Sequence, residues 1–298
     1  MPELPEVESL RRSLVKYVVG QKVKSVSVKL SKIVSARGTK RIADERKKNE
    51  FEMELVGKKI SSLSRRAKNI MINFDDGGLV LVHLKMTGQL VFQNKENTVW
   101  GGHPIEATEI TKLPNKHTYV SFELENGNLF YNDVRQFGYL LYYKNQIEFE
   151  KEKHFESLGF EPLNEDFTLE NFTKKLKTKT GILKKVFLDQ TVVVGLGNIY
   201  CDEVCFAAGV FPFRKVSSLK SFEIKKLYQE TIRIIPLAIA AGGSSIANYL
   251  LGDGSRGNYA HSHKVYNRAG KACLVCGQIL EKNQTAGRTT VFCLNCQK

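Results

Sequence analysis

The sequence predicts an α+β multidomain protein: an N-terminal β-sandwich with a leading helix, a helical middle region and a C-terminal four-cysteine zinc finger. Three observations carry that expectation. Eight short alternating stretches lie between residues 22 and 143, punctuated by turns such as Asp76-Gly77 and Asn126-Gly127. Helical patterns dominate from there to about residue 241. Four of the six cysteines fall in the last 26 residues, as Cys273-x2-Cys276 and Cys293-x2-Cys296. A chain of 298 residues is long enough for two or three such domains.

In chain order, residues 4–18 read as one amphipathic helix, stopped by Gly20. Strands are expected at 22–30, 51–55, 59–64, 69–74, 79–83, 118–124, 129–131 and 139–143, a pattern that a sandwich or a barrel satisfies. The polar, basic stretch 35–49 reads as a surface loop or short helix, and 148–153 as a charge-rich linker. Helices are expected at 156–158, 168–175, 183–189, 198–208 and 221–241, with Pro162, Gly195, Gly197 and Pro212 in the loops. Residues 242–258, rich in Gly and Ser, read as a flexible loop. The two cysteine knuckles leave sixteen residues for a β-hairpin. Their four thiolates close a tetrahedron, so the expected metal is a structural Zn2+ with no open catalytic position. Cys201 and Cys205, spaced i, i+4 in apolar surroundings, read as core residues.

Lys and Arg total 45 against 31 Asp and Glu, a net charge of +14. That excess needs an acidic partner, and nucleic acid leads because Lys and Arg neutralise phosphates; a basic solvated surface is the plainer account. No apolar run approaches the ~20 residues that cross a bilayer. The acidic, proline-bearing opening is unlike an export signal, so disulfides are not expected.

Several local features bear chemistry. Removal of Met1 would leave Pro2 as a secondary amine, able to form an iminium at a sugar aldehyde carbon. Its pKa near ~8 leaves much more of it unprotonated than a lysine, and Glu3 and Glu6 stand close in sequence. The same residues also make a good helix start. Arg65, Arg66 and Lys68 suit phosphate contact or a solvated turn. Gly195-Leu196-Gly197-Asn198 forms a tight turn before a helix, where N–H groups and the Asn198 amide suit a phosphate; it lacks the strand and third glycine of a dinucleotide fingerprint. Arg288 opens the far side of the finger's hairpin turn. Met86 and Phe137 read as core residues or as wedges for a base stack, with Arg135 beside the orphaned base.

These features occur together in one family. The chain resembles the bacterial formamidopyrimidine-DNA glycosylases of the Fpg/Nei family almost end to end. The motifs that carry the resemblance are MPELPEVE at 1–8, SRRAK at 64–68, HLKMTGQL at 83–90, DVRQFG at 133–138, LDQTVVVGLGNIYCDE at 188–203, GGSS at 242–245 and the closing GRTTVFCLNCQK. The resemblance implies a catalytic β-sandwich domain at 2–147, a helix–two-turns–helix DNA-binding domain at 148–241, a lesion-recognition loop at 242–263 and a zinc finger at 264–298. It implies removal of oxidised purines (8-oxoguanine and formamidopyrimidines) from duplex DNA, followed by β,δ-elimination at the abasic site. By match of motif, Pro2 is the nucleophile at C1′, Glu3 the proton donor to the sugar ring oxygen, Glu6 a supporting acid, and Lys68 and Arg288 further catalytic groups. His83, Lys184, Asn198, Tyr259 and Arg288 contact DNA, and Met86, Arg135 and Phe137 fill the void left by the flipped base. One Zn2+ on Cys273, Cys276, Cys293 and Cys296, damaged double-stranded DNA as partner, a monomeric state, no membrane and the bacterial cytosol complete the expectation. Asn267 stands where the family often has Gly, and residues 100–102 and 111–116 match no family motif. An endonuclease VIII-like enzyme is disfavoured by Leu4 and by the Met, Arg, Phe trio. A binding protein without catalysis is disfavoured by the presence of Pro2, Glu3 and Lys68.

Overall fold

The computed structural model describes residues 1–38, 41–102, 112–244 and 258–298. The chain forms two compact units. Among the described residues, one comprises 1–2 and those of 6–153; the other comprises 3–5, 154–244 and 258–298.

The first unit is built on two antiparallel sheets. Strands β1 (Val23–Val28), β7 (Thr118–Leu124), β8 (Gly127–Asp133), β5 (Gly88–Gln93) and β6 (Thr98–Gly102) form one sheet in the order β1-β7-β8-β5-β6. Strands β2 (Ile60–Arg66), β3 (Asn69–Phe74), β4 (Leu79–His83) and β9 (Tyr139–Tyr143) form the other, in the order β2-β3-β4-β9. Leu90, Phe92, Val120 and Phe122 of the first sheet share one core with Ile70, Ile72, Val80 and Val82 of the second. Val7, Leu10, Leu14 and Val18 of helix α1 (Leu4–Val18) join it at the i, i+3, i+4 spacing of an amphipathic helix. This is the expected sandwich with its leading helix.

Three local expectations fail, each for a physical reason. Residues 51–55 are not a strand: α3 (Glu45–Glu54) follows a four-residue helix, α2 (Lys32–Ser35), and takes in Phe51. The Asp44 carboxylate caps α3 by accepting from the N–H groups of Arg46 and Lys47. Phe51 and Leu55, four apart, are buried, while Met53 is 71% exposed; a strand would have put all three on one face. Strands β5 and β6 escape pattern reading. Leu90, Val91 and Phe92 are all buried, so β5 shows no alternation, and β6 ends in two glycines. The expected linker at 148–153 starts inside a helix, α4 (Gln146–Glu150), because Asn145 caps it through the Glu148 N–H; α5 (Lys153–Glu156) follows.

The second unit is helical. Its helices are α6 (Leu169–Lys177), α7 (Leu183–Leu188), α8 (Asn198–Ala207) and α9 (Ser221–Ala240), close to the expected spans. Phe172, Phe187, Tyr200, Val204, Leu227 and Ile235 form their common core, with Cys201 and Cys205 buried inside it. The turn from α7 to α8 is pinned by Gln190, whose Nε2 donates to the Leu188 and Leu196 carbonyls and whose Oε1 accepts from the Gly195 N–H. A hairpin of β10 (Glu281–Thr285) and β11 (Arg288–Phe292) ends the chain's fold. Its two-residue turn, Ala286-Gly287, has positive φ at both positions, as the right-handed twist of a tight hairpin demands.

Candidate functional site

In the second unit, the start of the chain is locked onto the N-terminus of α8. One Glu3 oxygen accepts from the Gly197 N–H at 2.8 Å and the Tyr200 N–H at 3.3 Å, and the other from the Ile199 N–H at 2.9 Å. These are among the N–H groups that an α-helix leaves without partners, and an anion there also suits the helix dipole. The Leu4 N–H donates to the Gly195 carbonyl at 3.0 Å, and the Leu4 side chain is buried. The glycines of the turn make this possible. A Cβ on Gly197 would lie 2.5 Å from the Glu3 carboxyl carbon, and one on Gly195 would lie 2.4 Å from the Leu4 Cβ. The tight turn therefore receives the chain's own N-terminal acid at a helix start that, by sequence, suits phosphate.

Helix α8 is also the post that holds the finger. Asn198 donates from Nδ2 to the Thr289 carbonyl at 2.8 Å. Asp202 accepts from the Val291 N–H at 3.1 Å and from the Lys184 ammonium at 2.5 Å. Glu203 accepts from the N–H groups of Lys264, Val265 and Tyr266 at 2.8–3.0 Å; burial still pushes its carboxyl above the usual range. Lys184 is wholly buried and also donates to the Asn198 carbonyl at 3.1 Å. So placed, it steadies α8 from inside.

The four finger cysteines come together, their Sγ atoms all within 4.8 Å of one another. Cys273 and Cys296 sulfurs are 3.9 Å apart and Cys276 and Cys293 sulfurs 3.5 Å. A tetrahedron of Zn–S bonds near ~2.3 Å requires S···S separations of about 3.8 Å, so the donor set and its spacing fit one Zn2+. Arg288 is exposed at the first position of β11, directly after the hairpin turn.

Tyr259 is buried, its ring 5.9 Å from those of Tyr200 and His263. The Tyr200 hydroxyl, the Ser244 hydroxyl and His263 Nε2 form a buried chain at 2.9 and 2.8 Å. Most of the expected lesion-recognition loop, residues 245–257, lies outside the described residues.

In the first unit, Pro2 is half-buried and Glu6 buried. Lys68 occupies the two-residue turn with Ala67 between the paired Arg66 and Asn69, and is 7% exposed. Arg65, a phosphate candidate by sequence, points inward to Glu8 instead, at 3.2 Å. Burial alone would raise the Glu8 carboxyl, yet Arg11, Arg12 and Arg65 together bring it down to about 2. His83 accepts from the Lys85 N–H at 3.0 Å, and its ring lies 5.3 Å from that of Tyr139, tilted by 44°. Met86 is 42% exposed at its loop tip, so it is not a core residue. Arg135 is exposed, with its guanidinium 4.4 Å from the centroid of the half-buried Phe137 ring.

Both tips stand on Asp133, which sequence reasoning did not single out. This fully buried carboxylate accepts from the Thr87 hydroxyl, from the Tyr131 hydroxyl at 3.2 Å, and from the N–H groups of Arg135 at 3.2 Å and Gly138 at 2.7 Å. The signal was present: Asp two residues before an amide it accepts from is an Asx turn.

Residues 1–140 match the model of the formamidopyrimidine-DNA glycosylase N-terminal domain, 158–249 that of the H2TH domain of the same enzymes, and 270–298 the zinc finger found in FPG and IleRS. The chain is 41% identical over 303 residues to the formamidopyrimidine-DNA glycosylase of Streptococcus pyogenes serotype M3, covering 100% of this chain and 99% of that one. It is 36% identical to that of Carboxydothermus hydrogenoformans, with full coverage of both. The chain belongs to the formamidopyrimidine-DNA glycosylase family. Its fold is similar to that of Lactococcus lactis Fpg in complex with abasic-site DNA, with a TM-score of 0.84 at 33% identity over 99% of each chain. A Lactococcus lactis Fpg mutant bound to DNA containing Fapy-dG gives the same score over the whole of both chains. Family membership makes the protein a DNA-repair glycosylase carrying a zinc finger. No helix among the described residues is long and apolar enough to cross a membrane.

Proposed function

We propose that the protein excises oxidised purines from damaged duplex DNA and then cuts the strand at the abasic site, working as a monomer in the cytosol. With Met1 removed, the Pro2 nitrogen attacks C1′ of the damaged nucleoside and the bond from C1′ to the base breaks. Glu3, seated as a carboxylate, takes the proton that the Pro2 nitrogen sheds on attack and passes it to the sugar ring oxygen; the ring opens, leaving an iminium between Pro2 and C1′. Loss of a C2′ proton then expels the 3′ phosphate, and a second elimination expels the 5′ phosphate. Lys68, Asn198 and Arg288 take phosphates, while Met86, Arg135 and Phe137 occupy the emptied stack. Extruding a base costs a few kcal/mol, which such contacts offset. The observation that most supports this reading is the locking of Glu3 by three backbone donors, one residue from the proposed nucleophile.

Borohydride trapping tests the proposal. Incubated with a duplex holding one 8-oxoguanine, the protein is expected to give a reduced covalent adduct whose DNA-linked peptide begins at Pro2. Excision without an adduct, or an adduct on a lysine, would overturn it.

A further inference from the structure

The stretch between α2 and α3 carries no function in the sequence, yet Arg41 turns from it back into the fold. Its Nη1 donates to the Gly138 carbonyl at 2.6 Å and to that of Phe137 at 3.4 Å. Its Nη2 donates to the Gln136 carbonyl at 2.7 Å. The guanidinium lies 5.7 Å from the Tyr139 ring centroid, and burial lowers its pKa. Gln136 sits at φ +57, in the left-handed region that a non-glycine residue holds only when its surroundings fix it. Two charges do that work from opposite sides. Asp133 accepts from the loop's N–H groups, and Arg41 donates to its carbonyls. Arg135 and Phe137 lie within the gripped segment, with the Arg135 side chain exposed.

We infer that Arg41 is a positioning residue for opposite-base selection. It holds the backbone of residues 136–138 so that Arg135 and Phe137 meet DNA already in shape. The inference rests on the reading of those two residues as void fillers. A planar fork that spans the Gln136 and Gly138 carbonyls cannot be replaced by a point charge, so lysine should restore the grip only in part. A preformed loop discriminates better than one that orders on binding, because it cannot adapt to the wrong partner.

The test uses full-length, zinc-loaded protein with Arg41→Ala and Arg41→Lys. In free protein, exchange of the Gln136 and Gly138 amide protons should speed up about ten-fold in the alanine variant and less in the lysine variant, while amides of the β10–β11 hairpin stay unchanged. In single-turnover excision of 8-oxoguanine, the ratio of rates opposite cytosine and adenine should fall about ten-fold in the alanine variant, with partial recovery in the lysine variant. Nicking of a single-stranded abasic oligonucleotide, which has no opposite base, should stay within about two-fold. Unchanged exchange overturns the grip. Faster exchange with an unchanged ratio, or equal losses opposite both bases, overturns the positioning role. A parent that excises opposite neither base defeats the proposed function, and the exchange result still decides the grip.

Discussion

At the scale of single residues, the close approaches around Gly197 are the most exacting. Its missing Cβ is the space that the Glu3 carboxylate occupies. Gly197→Ala should push Glu3 off its three donors and destabilise the fold by roughly 1–3 kcal/mol, the usual cost of overpacking. It should also slow excision more than it weakens duplex binding, read by single-turnover kinetics beside a binding titration. Unaltered excision would mean that Glu3 needs no fixed seat. His263 offers a test by pH. Burial brings its pKa down to about 4, so the ring is neutral in the fold, whereas the unfolded chain takes up a proton near the ordinary ~6.5. Its contribution is intact above about pH 6.5 and is lost as pH falls from there toward about 4. Relative to His263→Gln, the parent should lose about 1 kcal/mol in urea unfolding between about pH 7.5 and about pH 5.5. A constant difference would show that the buried ring protonates as it does in water.

At the scale of elements, helix α8 and the finger behave as one device. Asn198, Asp202 and Glu203 reach the finger or its lead-in from three positions on one helix. The hairpin that presents Arg288 keeps its other end on the four sulfurs. Cys276→Ser should cut the zinc content from one ion toward none, free the hairpin amides to exchange, and weaken duplex binding at least about ten-fold. A zinc-free preparation that binds with full affinity would refute the link. This element was legible because ligand chemistry is local: two Cys-x2-Cys knuckles suffice. The misread elements share a different trait. Phe51–Leu55 alternates like a strand, and only the capping Asp44 and the exposure of Met53 reveal the helix. Strand β5, buried on both faces, has no periodicity to read. Arg41 and Glu3 were illegible as partners of their loops, since hydrogen bonds across about a hundred or more positions leave no local pattern.

At the scale of the whole molecule, the net charge of +14 sets how the protein meets a polyanion. Lys68→Ala and Arg288→Ala should each weaken binding to every duplex and lower the slope of log K against log salt by about one unit, the mark of one lost phosphate contact. Slopes equal to the parent's would place both cations away from the backbone. The fold's long-range closure has a consequence in time. Glu3 finds its donors 194 to 197 residues downstream. A ribosome adding roughly 5–20 residues per second takes about 10–40 s to reach them. Through that interval Glu3 has no seat, so this segment waits for α8 to be made before it finds its place in the fold.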